Sequence, residues 1–245
     1  MPDVFDLEAE KEAAARAAVA HVRNGMLVAL GTGSTAAHAV RLIASRPELA
    51  RSIETVASSV ATERLAKELR IAVRPLAPRD VFDLMIDGAD EVSPRLELTK
   101  GGGGALFREK LLARLSREVV IIVDHSKRVD RLGSRVPIPI EVVPFAGPVL
   151  TTWLAERGLP AQPRTSGGQV VRTDNGNDVF DVTPTRPVGD AAGLDREIRG
   201  LPGVVETGIF VDLADRVYVG RPDGEVETML PSRPRSGPVG PGPLA

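Results

Sequence analysis

The sequence predicts an α/β protein: a Rossmann-like, mainly parallel sheet flanked by helices, joined to a smaller α+β lid domain. Three observations point there. Short apolar runs at residues 26–30, 81–86 and 119–123 alternate with helical segments, as expected of strands buried on both faces. Each run then delivers a segment dense in glycine, hydroxyls or charge, and open parallel sheets build their sites at the carboxyl ends of strands. Around residues 133–148 the composition changes, and Pro137, Pro139, Pro144 and Pro148 rule out a long helix.

In chain order, residues 7–23 are Ala-rich with Glu and Lys on the flanks, a helix closed by Asn24-Gly25. Residues 26–30 make a strand, and Gly31-Thr32-Gly33-Ser34-Thr35-Ala36 opens a helix to about Ala44. A strand at 53–57, a helix at 61–69 and a short strand at 71–74 follow. The strand at 81–86 ends in Asp87-Gly88-Ala89-Asp90-Glu91, and the strand at 119–123 ends in Asp124-His125-Ser126-Lys127. Beyond the change in composition, a strand at 140–143 and a helix at 149–157 are expected. Strands at 170–173 and 179–182 are read as a hairpin around Asp174-Asn175-Gly176-Asn177. A helix at 191–198 and a strand at 204–210 come next, and residues 217–220, with 208–212 as a second candidate, return to the first sheet. The resulting division is 1–131 with 207–230 for the first domain, 132–206 for the lid, and a Pro- and Gly-rich tail at 231–245 expected to be disordered.

Composition narrows the function. The chain has 245 residues, a formal charge of −2, no cysteine, one Trp and one Tyr. The charge gives no basic field for nucleic acid, and the few aromatics leave little for base stacking. Disulfides, thiolate zinc sites and cysteine nucleophiles are excluded. With no apolar run of membrane-spanning length and no signal peptide, the expectation is a soluble cytoplasmic protein.

The stretch from Lys100 to Ala113 is the centre of the functional reading. Gly101 to Gly104 mark a bend with unusual dihedrals, and the segment after them is helix-forming, so the glycines lie at a helix N-terminus. Amide donors there can receive an anion or a developing oxyanion. Glu109 has Ala105, Leu106, Leu112 and Ala113 as its helical neighbours and no cation at i±4, so it is desolvated or aimed into a cleft. Desolvation raises a carboxyl pKa and makes a proton carrier near neutral pH. A Glu at the edge of the buried face, reaching water, fits the pattern equally well.

The turn at residues 31–36 reads as an anion cradle or as a plain β–α turn with a hydroxyl cap. It also matches a dinucleotide fingerprint, but the second strand ends in Ser58-Ser59 where that fingerprint needs an acid, so Ser34 and Thr35 suit phosphate better. The acids at Asp87 to Glu91 could bind metal or sugar hydroxyls or move protons, although hard ligands for a metal are scarce in the neighbouring loops. Lys127 is a plausible phosphate counter-charge, whereas His125 reads as structural or solvated.

Taken together these segments resemble the type A family of ribose-5-phosphate isomerases, as do Glu141-Val142-Val143-Pro144-Phe145, the 173–177 turn and residues 202–210. The resemblance runs to about residue 230. It implies cofactor-free, metal-free interconversion of D-ribose 5-phosphate and D-ribulose 5-phosphate through an enediolate. By motif position, Glu109 is the proton acceptor, Asp87 assists ring opening and proton shuttling at oxygen, and Lys100 with the Gly101, Gly102 and Gly103 amides stabilises the enediolate. Thr32, Gly33, Ser34, Thr35, Lys127 and Lys11 hold substrate, chiefly its phosphate, and Asp87, Gly88, Ala89 and Asp90 form the substrate loop. The resemblance further implies a homodimer or homotetramer, and it gives residues 58–62 no role. Two other classes fit a sugar-phosphate site: a phosphosugar-sensing module without catalysis, and another enzyme of the fold group, such as a sugar-phosphate deaminase or a CoA transferase. A nicotinamide dehydrogenase is disfavoured by Ser58-Ser59.

Overall fold

The computed structural model describes residues 6–235, 237 and 238. The elements are α1 (Leu7–Val19), β1 (Leu27–Leu30), α2 (Ser34–Ala44), α3 (Pro47–Ser52), β2 (Glu54–Ala57), α4 (Val60–Glu68) and β3 (Phe82–Gly88). Then come β4 (Glu91–Val92), β5 (Leu98–Thr99), α5 (Leu106–Arg114), β6 (Ser116–Asp124), β7 (Ile138–Val142), α6 (Gly147–Glu156) and β8 (Ala161–Pro163). The chain continues through β9 (Thr165–Ser166), β10 (Gln169–Val170), β11 (Asp178–Val182), α7 (Ala191–Arg199), β12 (Val204–Thr207), β13 (Ile209–Phe210), β14 (Arg216–Gly220) and β15 (Val226–Met229). They form two units: Met1–Gly88 with Leu111–Lys127 and Asp212–Ala245, and Ala89–Lys110 with Arg128–Val211.

The first unit holds a six-stranded sheet in the order β15-β14-β6-β3-β1-β2. Every pairing is parallel except that of the edge strand β15 with β14. Apolar runs without alternation suit strands covered on both sides. Ala14, Ala18 and Val19 of α1 and Val40 and Ile43 of α2 pack with Val28, Leu30, Leu84, Ile86, Val120 and Ile122 of the sheet. Each fully buried Val, Leu or Ile side chain there contributes about 1.5–3 kcal/mol. Helix α1 begins at Asp6, whose carboxylate accepts from the amides of Glu8 and Ala9. It lies on β14 so closely that a methyl group at Gly220 would come within 2.0 Å of the Glu10 carbonyl oxygen. His21 Nε2 is 2.7 Å from the Tyr218 hydroxyl.

The second unit contains an antiparallel four-stranded sheet, β12-β7-β11-β8, an antiparallel three-stranded one, β13-β5-β4, and the β9–β10 hairpin. Its core is built from Ile138, Ile140, Val142, Leu150, Leu154, Phe180, Val182 and Ile198.

Several expectations are corrected. The first helix stops at Val19, with Gly25 at φ +80° in the turn that follows. Residues 71–74 form only one bridge, Val73 to Thr55, and α3 and β15 were not foreseen. The expected hairpin across 174–177 exists only next to its turn, where Thr173 N–H donates to Asn177 C=O at 2.8 Å, Arg172 bridges Asp178 antiparallel and Val179 N–H donates to Val171 C=O at 3.1 Å; farther out the two strands take other partners. Val170 joins β9 across Gly167-Gly168, while β11 lies between β7 and β8. The strand at 204–210 breaks at Gly208, and residues 209–210 pair with β5, not with the first sheet. That pairing also places Ala89–Lys110 in the second unit, where the sequence had put it in the first. In the tail, the Arg235 guanidinium donates to the carbonyls of Ala113, Ser116 and Arg117, so the chain is anchored there; residues 236 and 239–245 lie outside the described residues.

Candidate active site

In the first unit the candidate residues gather where β1, β3 and β6 end. Alternation along β3 puts Leu84 and Ile86 in the helix-facing core and Asp87 on the other face, fully buried. Asp87 Oδ1 accepts from the amides of Thr32 at 3.1 Å and Gly88 at 2.7 Å. The contact requires glycine at 31, because a Cβ there would stand 2.1 Å from Asp87 Oδ1. Gly33, at φ +105°, then precedes α2, whose N-terminus has no side-chain cap. Ser34 is exposed at that uncapped end, and the amides of its first turn are available to an anion. Thr35 is buried, with its Cβ 3.7 Å from the position a Cβ at Gly88 would take.

Lys11 comes from α1 and places Nζ 3.3 Å from Ser34 Oγ. The same ammonium is 2.6 Å from Glu8 Oε1 and, with His38, holds the Glu8 carboxyl below its usual range. An incoming anion therefore competes with Glu8 for Lys11. Lys127 closes the single helical turn after β6. Glu10, a buried carboxylate on α1, holds that turn by accepting from the His125 amide at 3.1 Å, with His125 Nδ1 at 2.6 Å from the same oxygen.

The Thr32 hydroxyl, expected to hold substrate, lies 2.7 Å from Ser58 Oγ and 2.8 Å from Ser59 Oγ. Thr62 Oγ1 in turn donates to the Gly31 carbonyl at 2.8 Å. Ser58, Ser59 and Thr62, for which no role was expected, thus back the glycine turn with a hydroxyl cluster. Their signal was available: β2 neighbours β1 in a parallel sheet, so its C-terminal end must meet the 31–36 turn.

In the second unit, Lys100 and Glu109 meet. Lys100 Nζ is 3.3 Å from Glu109 Oε1, and the two side chains are only 3% and 5% exposed. The cation that Glu109 lacks at i±4 on its own helix arrives from the far side of the glycine turn. Gly101 at φ +103° and Gly104 at φ +75° make that turn, closed by Gly104 N–H to Gly101 C=O at 3.0 Å, and α5 starts at Leu106. Lys100 also lies over the Phe210 ring, 5.5 Å from its centroid. Asp90 Oδ2 accepts from the Gly102 amide at 2.8 Å, and Gly102 and Gly103 are exposed. Ala89 begins this unit beside Asp90. Glu91, by contrast, is structural: fully buried, it accepts from Thr99 and from the amides of Gly133 and Arg135.

One unit thus presents an uncapped helix start with Lys11 beside it and a buried aspartate at the end of β3. The other presents a carboxylate beside an ammonium, at the start of a helix that opens on four glycines. Among the described residues, no helix is long and apolar enough to cross a membrane.

The family model described as Ribose 5-phosphate isomerase A (phosphoriboisomerase A) matches residues 54–224. A Deinococcus radiodurans protein named Ribose-5-phosphate isomerase A is 46% identical over 227 residues, covering 91% of this chain and 99% of its own. One of the same name from Thermomicrobium roseum is 47% identical over 219 residues, covering 89% and 92%. Among solved structures, a D-ribose-5-phosphate isomerase in complex with phospho-erythronic acid superposes with a TM-score of 0.87 at 35% identity, over 92% of this chain and 99% of its own. Ribose 5-phosphate isomerase A from Methanocaldococcus jannaschii gives 0.84 at 39% identity, over 91% and 98%. Matched in sequence over nearly its whole length and in fold over the same span, the chain belongs to the ribose-5-phosphate isomerase A family.

Proposed function

We propose that the protein interconverts D-ribose 5-phosphate and D-ribulose 5-phosphate by proton transfer through an enediolate, a step of the non-oxidative pentose phosphate pathway. The observation that carries this reading is the Glu109 carboxylate, almost sealed from water and 3.3 Å from Lys100, one helical turn past the glycine run. Glu109 takes the proton from C2 of the open-chain aldose and returns it to C1. The negative charge that builds on O1 meanwhile falls to Lys100 and the amides of Gly101, Gly102 and Gly103. Asp87 moves the second proton, from O2 to O1, so that the hydrogens balance, and it assists opening of the furanose ring. A positioned base supplies about 10²–10⁴-fold and each oxyanion donor about 10²–10³-fold.

Thr32, Gly33, Ser34, Thr35, Lys11 and Lys127 hold the phosphate and adjacent hydroxyls, with Gly88, Ala89 and Asp90 in the substrate loop. The uncapped N-terminus of α2 and the Lys11–Ser34 contact support that assignment. The phosphate lies away from the reacting carbons, so its binding energy serves to fix them. The phospho-erythronic acid bound by the related isomerase carries a carboxylate together with a phosphate, the two anionic features this scheme places on its substrate. Cytoplasmic location and a homodimeric or homotetrameric state complete the reading; light scattering tests the latter.

The deciding experiment follows ketopentose formation from D-ribose 5-phosphate, with EDTA present, for the wild type and Glu109→Gln. Rapid turnover that falls at least about 10²-fold in the variant is the expected result. Binding of the sugar phosphate without turnover would favour a sensing module instead. Ammonia release from an amino-sugar phosphate would favour a deaminase.

A further inference from the structure

We propose that Arg164, locked by Asp181, is a positioning residue that orients the peptide planes of the glycine loop towards the oxyanion; this rests on the isomerase reading above. Four successive glycines have little preference for any one backbone conformation, and within the loop the Gly104 N–H to Gly101 C=O bond holds only one of their carbonyls, so the remaining orientation is set from outside. Arg164 does this through two carbonyls: Nη1 donates to Gly101 O at 2.9 Å and to Gly102 O at 2.8 Å. The rest of the guanidinium is engaged by one carboxylate, with Nε donating to Asp181 Oδ2 at 2.9 Å and Nη2 to Asp181 Oδ1. That two-point grip fixes the guanidinium plane, which a lysine could not reproduce. The backbone of Arg164 is held on both sides, its amide donating to Val179 O at 2.7 Å and its carbonyl accepting from Val171 N–H at 2.8 Å.

In a trans peptide, N–H and C=O point in opposite directions. Holding the carbonyls of Gly101 and Gly102 towards Arg164 therefore turns the N–H groups of Gly102 and Gly103 to the opposite side. On that side an anionic oxygen is already received: Asp90 Oδ2 accepts the Gly102 N–H at 2.8 Å. The clamp thus prepares donors before charge develops, the condition under which such donors are most effective. Arg164 touches neither Lys100 nor Glu109 in any described hydrogen bond or ion pair, so its influence passes through the loop.

The test uses the full-length protein and begins with the wild type, whose failure to isomerise D-ribose 5-phosphate would overturn the isomerase reading and the clamp's role with it. In an active wild-type background, Arg164→Met should lower kcat about 10²-fold, the effect of losing an oxyanion donor. KM for D-ribose 5-phosphate and inhibition by inorganic phosphate should stay nearly unchanged. Inhibition by phospho-erythronic acid, whose carboxylate reports on the loop amides, should weaken about tenfold, the equivalent of one hydrogen bond. Asp181→Asn should give a smaller loss of the same kind, and it carries the test if Arg164→Met does not fold. Added guanidinium should restore part of the kcat of Arg164→Ala. Wild-type kcat in Arg164→Met or, failing that, in Asp181→Asn would overturn the proposal. So would equal losses of kcat and phosphate inhibition without guanidinium rescue, because a merely structural arginine behaves that way.

Discussion

Gly31→Ala adds one methyl group and should act almost wholly through Asp87. Gly31 is not among the positive-φ glycines, so alanine is tolerated by the backbone itself. The added Cβ would lie 2.1, 2.2 and 2.5 Å from Oδ1, Cγ and Cβ of Asp87, and the carboxylate must leave. It then gives up the bonds from Thr32 N–H and Gly88 N–H. Hydrogen bonds to a charged group contribute about 1.5–3 kcal/mol each, so the gross loss is about 3–6 kcal/mol. Reduced freedom of the unfolded chain returns about 0.4–1 kcal/mol, leaving a net destabilisation of about 2–6 kcal/mol. Urea titrations read this as a lower midpoint at unchanged slope. Repeating them with Asp87→Gly, which removes all three clashing atoms, closes a double-mutant cycle. In that background Gly31→Ala should be neutral or slightly stabilising. If the two substitutions add, the clash is not with Asp87 and the reasoning fails. Turnover should fall in Gly31→Ala as well, since the displaced group is the proposed proton shuttle.

Other perturbations probe the rest of the molecule. Lys110 is buried with Glu206 Oε1 at 2.7 Å and Asp195 Oδ1 at 3.3 Å, and burial holds its pKa below the ordinary lysine value. Lys110→Met, which strands both carboxylates, should lose about 3–5 kcal/mol in urea unfolding. Because the folded pKa is depressed, the folded state releases this proton first, and wild-type stability relative to Lys110→Met should rise with pH through the window ending near the unfolded lysine value of about 10.4. The Arg74 guanidinium holds the Asp80 carboxyl below its usual range. That contribution is present above the unfolded value of about 3.9 and lost as pH falls through the lower folded one. Asp80→Asn should therefore cost about 1 kcal/mol at neutral pH, discounted for a partly exposed pair, and nothing in strong acid. Gly208→Ala would bring a methyl within 2.2 Å of the Lys100 carbonyl oxygen. It should destabilise by about 1–3 kcal/mol and slow turnover by moving Lys100, as chemical unfolding and steady-state rates would show.

The parallel sheet was readable because its strands are apolar runs followed by punctuation. Gly31 follows β1 and Gly33 precedes α2 where the sequence says they should, and the acids and lysine at the strand ends follow from register alone. Short antiparallel strands were less legible. Val170 and Val179 carry alternating apolar residues that fit several partners, and the choice of β9 for one and of β7 and β8 for the other is made by tertiary pairing. In the candidate site, Glu109 was visible as a carboxylate among apolar neighbours, but its cation was not, since Lys100 is nine residues away across a turn of glycines. Arg164 gave no local signal: one arginine in a short exposed segment is ordinary until the carbonyls it holds are seen. The Glu10–His125 contact joins positions 115 residues apart, and no spacing rule reaches that far.

The bed of α1 on β14 sets an order of events during synthesis. This helix leaves the ribosome long before the strand it rests on, with the Glu10 backbone lying over Gly220. The strands β4 to β13 all emerge in between, so the second unit has its complete set of strands while the first still lacks β14. Until then the nascent chain carries β6 as an open apolar edge, able to pair with strands of other chains. Arrival of β14 and β15 closes that edge and covers the apolar face of α1 together. A long wait between first and last contacts makes folding slow and exposes the intermediate to aggregation. A ribosome stalled once Val211 has cleared the exit tunnel, with β14 still inside it, should therefore carry a protease-resistant second unit and a first unit still open to cleavage.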